Sequence, residues 1–485
     1  MTVVLLLLAP VLTAAASRLV PRALAGRAQA LGALATLVLA VVAAAQVGVG
    51  GSIALGPLYL DALGALLAVV VALVACGAAL YAVPYLAHDV DERRLGPAQI
   101  PWFYVWFHLF VFTMLSAVAT DNLGLMWAAI EATTLASAVL VGFYRTRDAL
   151  EAAWKYLIIC TVGISFALFG ILLLYAAGAR ALGGGEAALS WRELAAAAPR
   201  LDPGLVRLGF LFVVVGFGTK AGFAPLHNWL PDAHSQAPTP VSAVLSGVLL
   251  PCALYGVVRT HAVAVGALGP GYSSTLLIGF GVLSAAVAVP FVLVQHDLKR
   301  LLAYSSIEHM GLIAAAIGIG GPVALFGGLL HLVVHALGKA LLFFAAGSLA
   351  QRYGTRNMAR IHGAARALPW SGPIFLAGGL AIAGAPPFGL FVSEFTLLSA
   401  GFARGYPLVS AALIACIALV FVGVLFHGGR MTLGEPRAAL ARGESRPVAA
   451  LLGVPLAALV VLGLWVPPPL ADAIERAVRA LGAGT

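Results

Sequence analysis

Four lysines stand against 24 arginines in this chain, and the lysines are where proton chemistry is possible. The arginines fall in loops or near the ends of apolar runs, whereas Lys220 and Lys339 lie inside such runs. The division has a chemical reason. An arginine stays charged under nearly all conditions, while a buried lysine can release its proton near neutral pH. Lys220 belongs to the stretch GFGTKAGFAPLHNWLPDAHSQAPTP, residues 216–240, which also holds Pro225, His227, Asp232, His234, Pro238 and Pro240. In a bilayer this mixture describes a helix that carries one amine to depth, breaks at a proline and turns backbone toward a polar cavity. A lone ammonium at the bilayer centre costs roughly 3 kcal/mol, so Lys220 needs a partner or a watered cavity; the alternative is a lysine that snorkels to the interface. His227, Asp232 and His234 are expected where the broken helix meets the next loop, shaping that segment rather than carrying protons.

Other titratable groups fall at similar depth. Glu131, in LGLMWAAIEATTLASAVLVGFY, is followed by the Thr133, Thr134 and Ser137 hydroxyls and is the natural counter-charge of Lys220; the alternative is an ion pair that never changes state. His331, His335 and Lys339 recur every four residues in HLVVHALGKALLFF, which stacks them on one helix face. Three titratable groups in a row suit a proton relay. Two histidines at this spacing could also hold zinc, but no HExxH is formed and no third ligand is evident, and structural hydrogen bonding is the other alternative. His309, near Ser305, Ser306 and Glu308, divides evenly between relay and satisfied core histidine. Glu394 follows a second break, AGAPPFGLFVSEF, and is expected to be an exit or entrance carboxylate or else a cap of the broken helix. Lys155 either feeds the relay or snorkels.

These residues need a membrane around them. The apolar fraction is 62% and the charged fraction 10%, against about 25% charged in soluble domains. The net charge of +9 comes from basic residues scattered singly between apolar runs, a topological pattern rather than a nucleic-acid patch. Cys76, Cys160, Cys252 and Cys416 each stand alone in an apolar run, so no thiolate metal or cluster site is expected, and no flavin or other cofactor motif is found. No signal peptide is expected, since no basic residue precedes the first apolar run.

The predicted fold is an all-α polytopic membrane protein, one transmembrane domain over residues 1–470 with a short tail, 471–485. At about 20 apolar residues per span, fourteen helices are predicted, roughly 3–17, 28–48, 58–83, 101–119, 122–143, 152–177, 205–226, 240–260, 273–294, 300–319, 322–350, 370–400, 407–429 and 448–466. The loops 18–27, 85–100, 144–155, 299–300, 351–369 and 430–447 then share one side and hold 18 Lys or Arg, against eight on the other. The positive-inside rule puts the first set in the cytoplasm and both termini outside. The seventh and twelfth helices carry the two proline and glycine breaks. An odd offset of five helices between them implies opposite directions through the membrane, hence two inverted five-helix repeats, about 101–260 and 273–429.

Four motifs in this order, KAGFAPLHNWLPDAHSQAPTPVSA, QHDLKRLLAYSSIEHMG, HALGKALLFFAAGS and PPFGLFVSEF, resemble the antiporter-like subunits shared by respiratory complex I, Mrp-type sodium/proton antiporters and membrane-bound hydrogenases. The resemblance covers residues 60–430, and IEATTLASAVLVGFYRTRDALEAAWKYLIIC is most similar to the F component of hydrogenase-4-type complexes. The resemblance implies a hydrated proton path in the membrane plane. It places the family's fifth-helix Glu on Glu131 and its seventh-helix Lys on Lys220. The eleventh-helix pair falls on His335 and Lys339, and the twelfth-helix group on Glu394. One position departs. The family's eighth-helix Lys or His has no counterpart in SAVLSGVLLPCALYG, where Ser246 and Pro251 stand instead; water, or His309 and His335, would have to cover the gap.

The function expected is a proton-translocating subunit of a complex I-like or hydrogenase-4-like membrane assembly. Its partners are other membrane subunits, soluble redox subunits and the lipid bilayer, with no nucleic acid. The alternatives are a redox-independent cation/proton antiporter or inorganic-carbon uptake subunit, and a quinone-reactive oxidoreductase subunit.

Overall fold

Several helices of this chain start where a side chain accepts their first backbone N–H groups and stop at a glycine. The computed structural model describes residues 1–436, 444 and 446–482; parts of the basic loop 430–447 and of the tail 471–485 lie outside the described residues. In order the helices are α1 (Thr2–Leu19), α2 (Arg22–Gly50), α3 (Ala62–Asp91), α4 (Ile100–Val118), α5 (Leu123–Val141), α6 (Arg147–Leu182), α7 (Trp191–Ala196), α8 (Pro203–Ala221), α9 (Trp229–Gln236) and α10 (Thr239–Val244). A π-helical turn, Leu245–Leu249, joins α10 to α11 (Leu250–Leu268). Then come α12 (Pro270–Leu293), α13 (Leu298–Ile319), α14 (Gly321–Tyr353), α15 (Ala364–Ala367), α16 (Ser371–Ile382), α17 (Gly389–Ala403), α18 (Pro407–Thr432), α19 (Arg446–Leu464) and α20 (Pro468–Ala480). Side chains of Asp61, Asn122, Thr146, Asp202 and Asp297 accept from the first free N–H groups of α3, α5, α6, α8 and α13. Gly183, Gly222 and Gly354 take the left-handed conformation that ends α6, α8 and α14.

Thirteen helices among the described residues are long and apolar enough to cross a membrane. The short apolar pair α16 and α17 makes the broken twelfth span, which brings the total to the fourteen expected. The seventh breaks between α8 and α9. One departure is a two-stranded antiparallel ribbon, Ser52–Leu55 with Leu58–Asp61, where helix was predicted from residue 58. Gly56 (φ +56°) and Pro57 force a turn there, and the flanking apolar residues pair across it.

The arrangement sorts helices that hydropathy alone makes equivalent. The span over α10 and α11, with α13 and α14, is buried along nearly its whole length, whereas α2, α18 and α19 are mostly open on their outer faces. Close approach is set by glycine. A Cβ on Gly163 of α6 would lie 2.6 Å from Thr219 Cβ of α8, and one on Gly216 would lie 2.2 Å from Ala167 N. Lacking them, α6 and α8 pack backbone to backbone just where Lys220 leaves its helix. Four of the six basic loops meet at one end. There Asp89 meets Arg94 and Tyr144, Asp232 meets Lys155 and Arg300, and the 296–298 turn bonds the 356–358 turn.

At the opposite end, Arg259 corrects the expectation that arginines lie in loops or at helix ends. It is buried in α11, with its guanidinium 4.0 Å from the Trp191 ring and 4.7 Å from the Tyr255 ring, and it pairs with Asp61. Asp61 comes from the ribbon and Trp191 from α7, so no local signal in α11 announces them. Removing one partner of such a pair leaves an uncompensated buried charge. Asp61→Ala is expected to cost about 3–5 kcal/mol, read as a lower melting temperature of the detergent-purified protein.

Candidate functional site

Lys220 occupies the last turn of α8, two residues before Gly222 (φ +82°) ends the helix, and the break leaves its amine fully buried. A cation at a helix C-terminus also faces the carbonyl end of the macrodipole. Its Nζ donates to Thr134 Oγ1 (2.7 Å) and to the Tyr156 hydroxyl (2.6 Å), and lies 4.6 Å from the Tyr156 ring centroid. Thr134 in turn donates to Glu131 Oε2 (3.2 Å), and Thr161 of α6 donates to Oε1 (2.9 Å). Lys220 and Glu131 are thus linked through one hydroxyl; among the described residues neither appears in a direct ion pair. The Tyr156 hydroxyl is hydrogen-bonded to Ser137 Oγ (2.7 Å), which donates to Thr133 O (2.5 Å). The Trp229 ring packs on Tyr156, and its Nε1 donates to Thr219 O (2.9 Å), so α9 locks the site from behind.

The second cluster lies between α13, α14 and α17. Lys339 donates to Leu302 O (2.9 Å) and to Ser305 Oγ, both on α13. His335 Nε2 lies 3.4 Å from Ser246 O, and Ser246 Oγ bonds Ser306 Oγ (2.7 Å). Ser246 sits in the π-helical turn, whose wider hydrogen-bond spacing re-aims its carbonyl. Where the sequence offered no base on the eighth helix, the fold therefore presents Ser246 main chain to His335. His309 Nδ1 and His331 Nε2 are 3.0 Å apart, and His331 Nδ1 is 2.9 Å from Ser393 Oγ, which donates to Leu390 O. With that hydroxyl spent as a donor, His331 must donate to it through Nδ1, so Nε2 accepts from His309.

Glu394 is buried on α17 beside this chain. It does not cap α17, whose start carries no side-chain cap. Donor atoms of His309, His331 and Glu394 lie within 4.8 Å of one another, so the fold brings a third group to the histidines that the sequence left without one. Both His331 nitrogens are already hydrogen-bonded, so the histidines form a bonded chain from His309 through His331 to Ser393, with the Glu394 carboxylate close beside it. Glu308, noted in the sequence only for polarity, is buried next to His309 with Oε2 unpartnered. Lys155 is held in a surface network with Glu151 (2.7 Å) and Asp232 (3.3 Å), away from Lys220. His227 is buried at the edge of the stacked Phe291 and Tyr304 rings.

Residues 120–420 match the family described as "NADH:quinone oxidoreductase/Mrp antiporter, TM". The chain belongs to this family. A relative called "Hydrogenase-4 component F homolog", from Methylacidiphilum infernorum, is 41% identical over 394 residues, 80% of this chain and 81% of that one. "NADH-quinone oxidoreductase subunit N" of Desulforudis audaxviator is 32% identical over 84% of this chain and 80% of its own length. Among solved structures, a chain of the membrane-bound sulfane sulfur reductase, an archaeal respiratory membrane complex, shares the fold with a TM-score of 0.89 at 24% identity, over 99% of this chain and 97% of that one. As a member of this family the protein is a multi-pass integral membrane protein of antiporter-like architecture. Glu131, Lys220, His309, His331, His335, Lys339 and Glu394 all fall inside the matched region.

The sequence missed Tyr156, Thr161, Ser393 and the burial of Glu308. Tyr156 reads as an ordinary interfacial aromatic after Lys155, and only the packing of α6 against α8 turns it toward Lys220. A hydrogen bond to a charged group is worth about 1.5–3 kcal/mol. Tyr156→Phe is therefore expected to lower the melting temperature measurably, while Phe at the half-buried Tyr406, whose hydroxyl makes no hydrogen bond among the described residues, leaves it unchanged.

Proposed function

We propose that this protein is the proton-translocating, antiporter-like membrane subunit of a complex I-like or hydrogenase-4-like redox assembly. The observation that carries the reading is the setting of Lys220. The amine is fully buried, yet its side-chain partners are two neutral hydroxyls. A hydroxyl can accept from an ammonium or donate to an amine, so the lysine can change protonation without breaking an ion pair. Glu131 stands one hydroxyl away to balance the charge. The steps follow from the layout. Lys220 and the His335/Lys339 group load protons, Glu131 switches, and the proton leaves past His309, His331 and Glu394, or the path runs in reverse. Water spans the interval between the two clusters. In this reading residues 101–260 and 273–429 act as inverted repeats, each with a broken helix beside its central charge. Redox energy arises in other subunits.

A second reading, a redox-independent cation/proton antiporter, is supported by the inclusion of Mrp antiporters in the family description. One experiment separates them: purification of the tagged protein from its native membranes in mild detergent, with companions identified by mass spectrometry. Co-purifying hydrogenase or quinone-reductase subunits support the redox-driven reading. Recovery of membrane subunits alone, or of a soluble zinc protein, overturns it in favour of an independent transporter.

A further inference from the structure

Three of the eight tryptophans, Trp102, Trp106 and Trp154, surround one cavity of about 470 Å³ at the basic end of the molecule. Gln99 before α4, Arg145 after α5 and Leu157 on α6 complete its walls. The cavity opens sideways, since Trp102 is 48% exposed and Trp154 62%. Among the described residues, the indole N–H groups of Trp127, Trp191 and Trp229 are hydrogen-bonded, whereas those of Trp102, Trp106 and Trp154 have no partner. A second guanidinium, that of Arg18 on α1, stands 5.4 Å from the Trp102 ring. Neither Arg18 nor Arg145 forms an ion pair among the described residues. Of the acidic neighbours in sequence, Glu151 is bound to Lys155 (2.7 Å) and Asp148 lines the separate cavity around Lys299. Among the described residues no carboxylate lines this one. Arg145 is held at the rim against its backbone preference, with φ +55°, a left-handed conformation that strains an L-residue by about 1 kcal/mol.

From the cavity an apolar lane runs toward mid-membrane. Trp154, Ile158, Val162 and Phe166 follow one another at four-residue spacing on α6, Leu135 and Val139 do so on α5, and all six are exposed. The α6 row spans about 18 Å, close to one leaflet of a hydrocarbon core of about 30 Å. We propose that the cavity binds an anionic phospholipid of the cytoplasmic leaflet. The phosphate sits at Arg145 among the indole donors, and the acyl chains follow the lane between α5 and α6. Charge complementarity selects the occupant. A zwitterionic lipid would bring an ammonium to a rim that already carries two uncompensated guanidiniums, whereas a basic pocket between spans on the cytoplasmic side suits an anionic head group. The bound lipid bridges α4, α5 and α6 from outside, and α5 and α6 carry Thr134, Tyr156 and Glu131 of the Lys220 network. The inference holds whichever ion is transported.

The test uses the tagged protein purified with its companion subunits in mild detergent. It is probed with phosphatidylglycerol or phosphatidylcholine carrying a photoreactive group on the acyl chain. Phosphatidylglycerol is expected to label peptides of α5 and α6 about tenfold more than phosphatidylcholine. Arg145→Gly suits the positive φ, so the fold is kept, and it is expected to lose that preference. Arg207→Ala, whose guanidinium lies over the Tyr272 ring at the opposite end, is expected to retain it. Equal labelling by both lipids would show unselective boundary lipid and overturn the site. Labelling by neither would show that another subunit covers this face, and overturns it too. An undiminished preference in Arg145→Gly overturns the assignment of the phosphate to this arginine and with it the site.

Discussion

Lys220→Ala is expected to lower proton flux by about 100-fold or more while the complex still assembles. Assembly survives because the hydroxyls that Lys220 leaves behind keep other partners. Thr134 still donates to Glu131, and Tyr156 still bonds Ser137. Removing a buried charge also relieves a cost of roughly 3 kcal/mol, against the loss of two charge-assisted hydrogen bonds of similar total worth. The informative companion is Lys220→Arg. It keeps the charge but cannot release a proton, so flux is expected to stay lost. Parental flux with arginine at 220 would mean that a fixed positive charge suffices and that Lys220 does not carry protons.

Gly384→Ala is the second large effect, and it acts without replacing a titratable group. Gly384 lies in the break between α16 and α17 with φ +77°, where an L-residue is strained by about 1 kcal/mol. A Cβ built there would lie 2.0 Å from Glu394 Oε2. The carboxylate must therefore leave its present place beside His309 and His331, and flux is expected to fall about as far as in Glu394→Gln. In the double variant the two losses should not add, because both remove the same group from the same place. Additive losses, or parental flux in Gly384→Ala, would show that Glu394 is not used from this position.

Much of the site was legible before the fold was known, for a physical reason. Charges inside apolar runs are costly, so Lys220, Lys339, Glu131 and Glu394 stand out against their neighbours. The four-residue spacing of His331, His335 and Lys339 follows from helix geometry alone. What stayed hidden were neutral partners. Tyr156, Thr161, Ser246 and Ser393 have polar groups common in any membrane helix, and their meaning depends on which helix lies opposite. The burial of His234, expected where the broken helix meets the next loop, was hidden for the same reason.

Composition and patterning by themselves determined that this chain crosses a membrane about fourteen times, where two of its helices break, and which residues carry charge at depth. These follow from local quantities: length of apolar run, position of proline and glycine, and the cost of a charge in hydrocarbon. Only the tertiary structure decided which helices are central and which face outward, because a helix that is apolar all round suits either place. It also decided that Glu131 reaches Lys220 through Thr134, that Glu394 stands beside His309 and His331, and that Arg259 is buried against Asp61 and Trp191. Each of those contacts joins different elements of the chain, and their approach is set by packing that no single segment encodes.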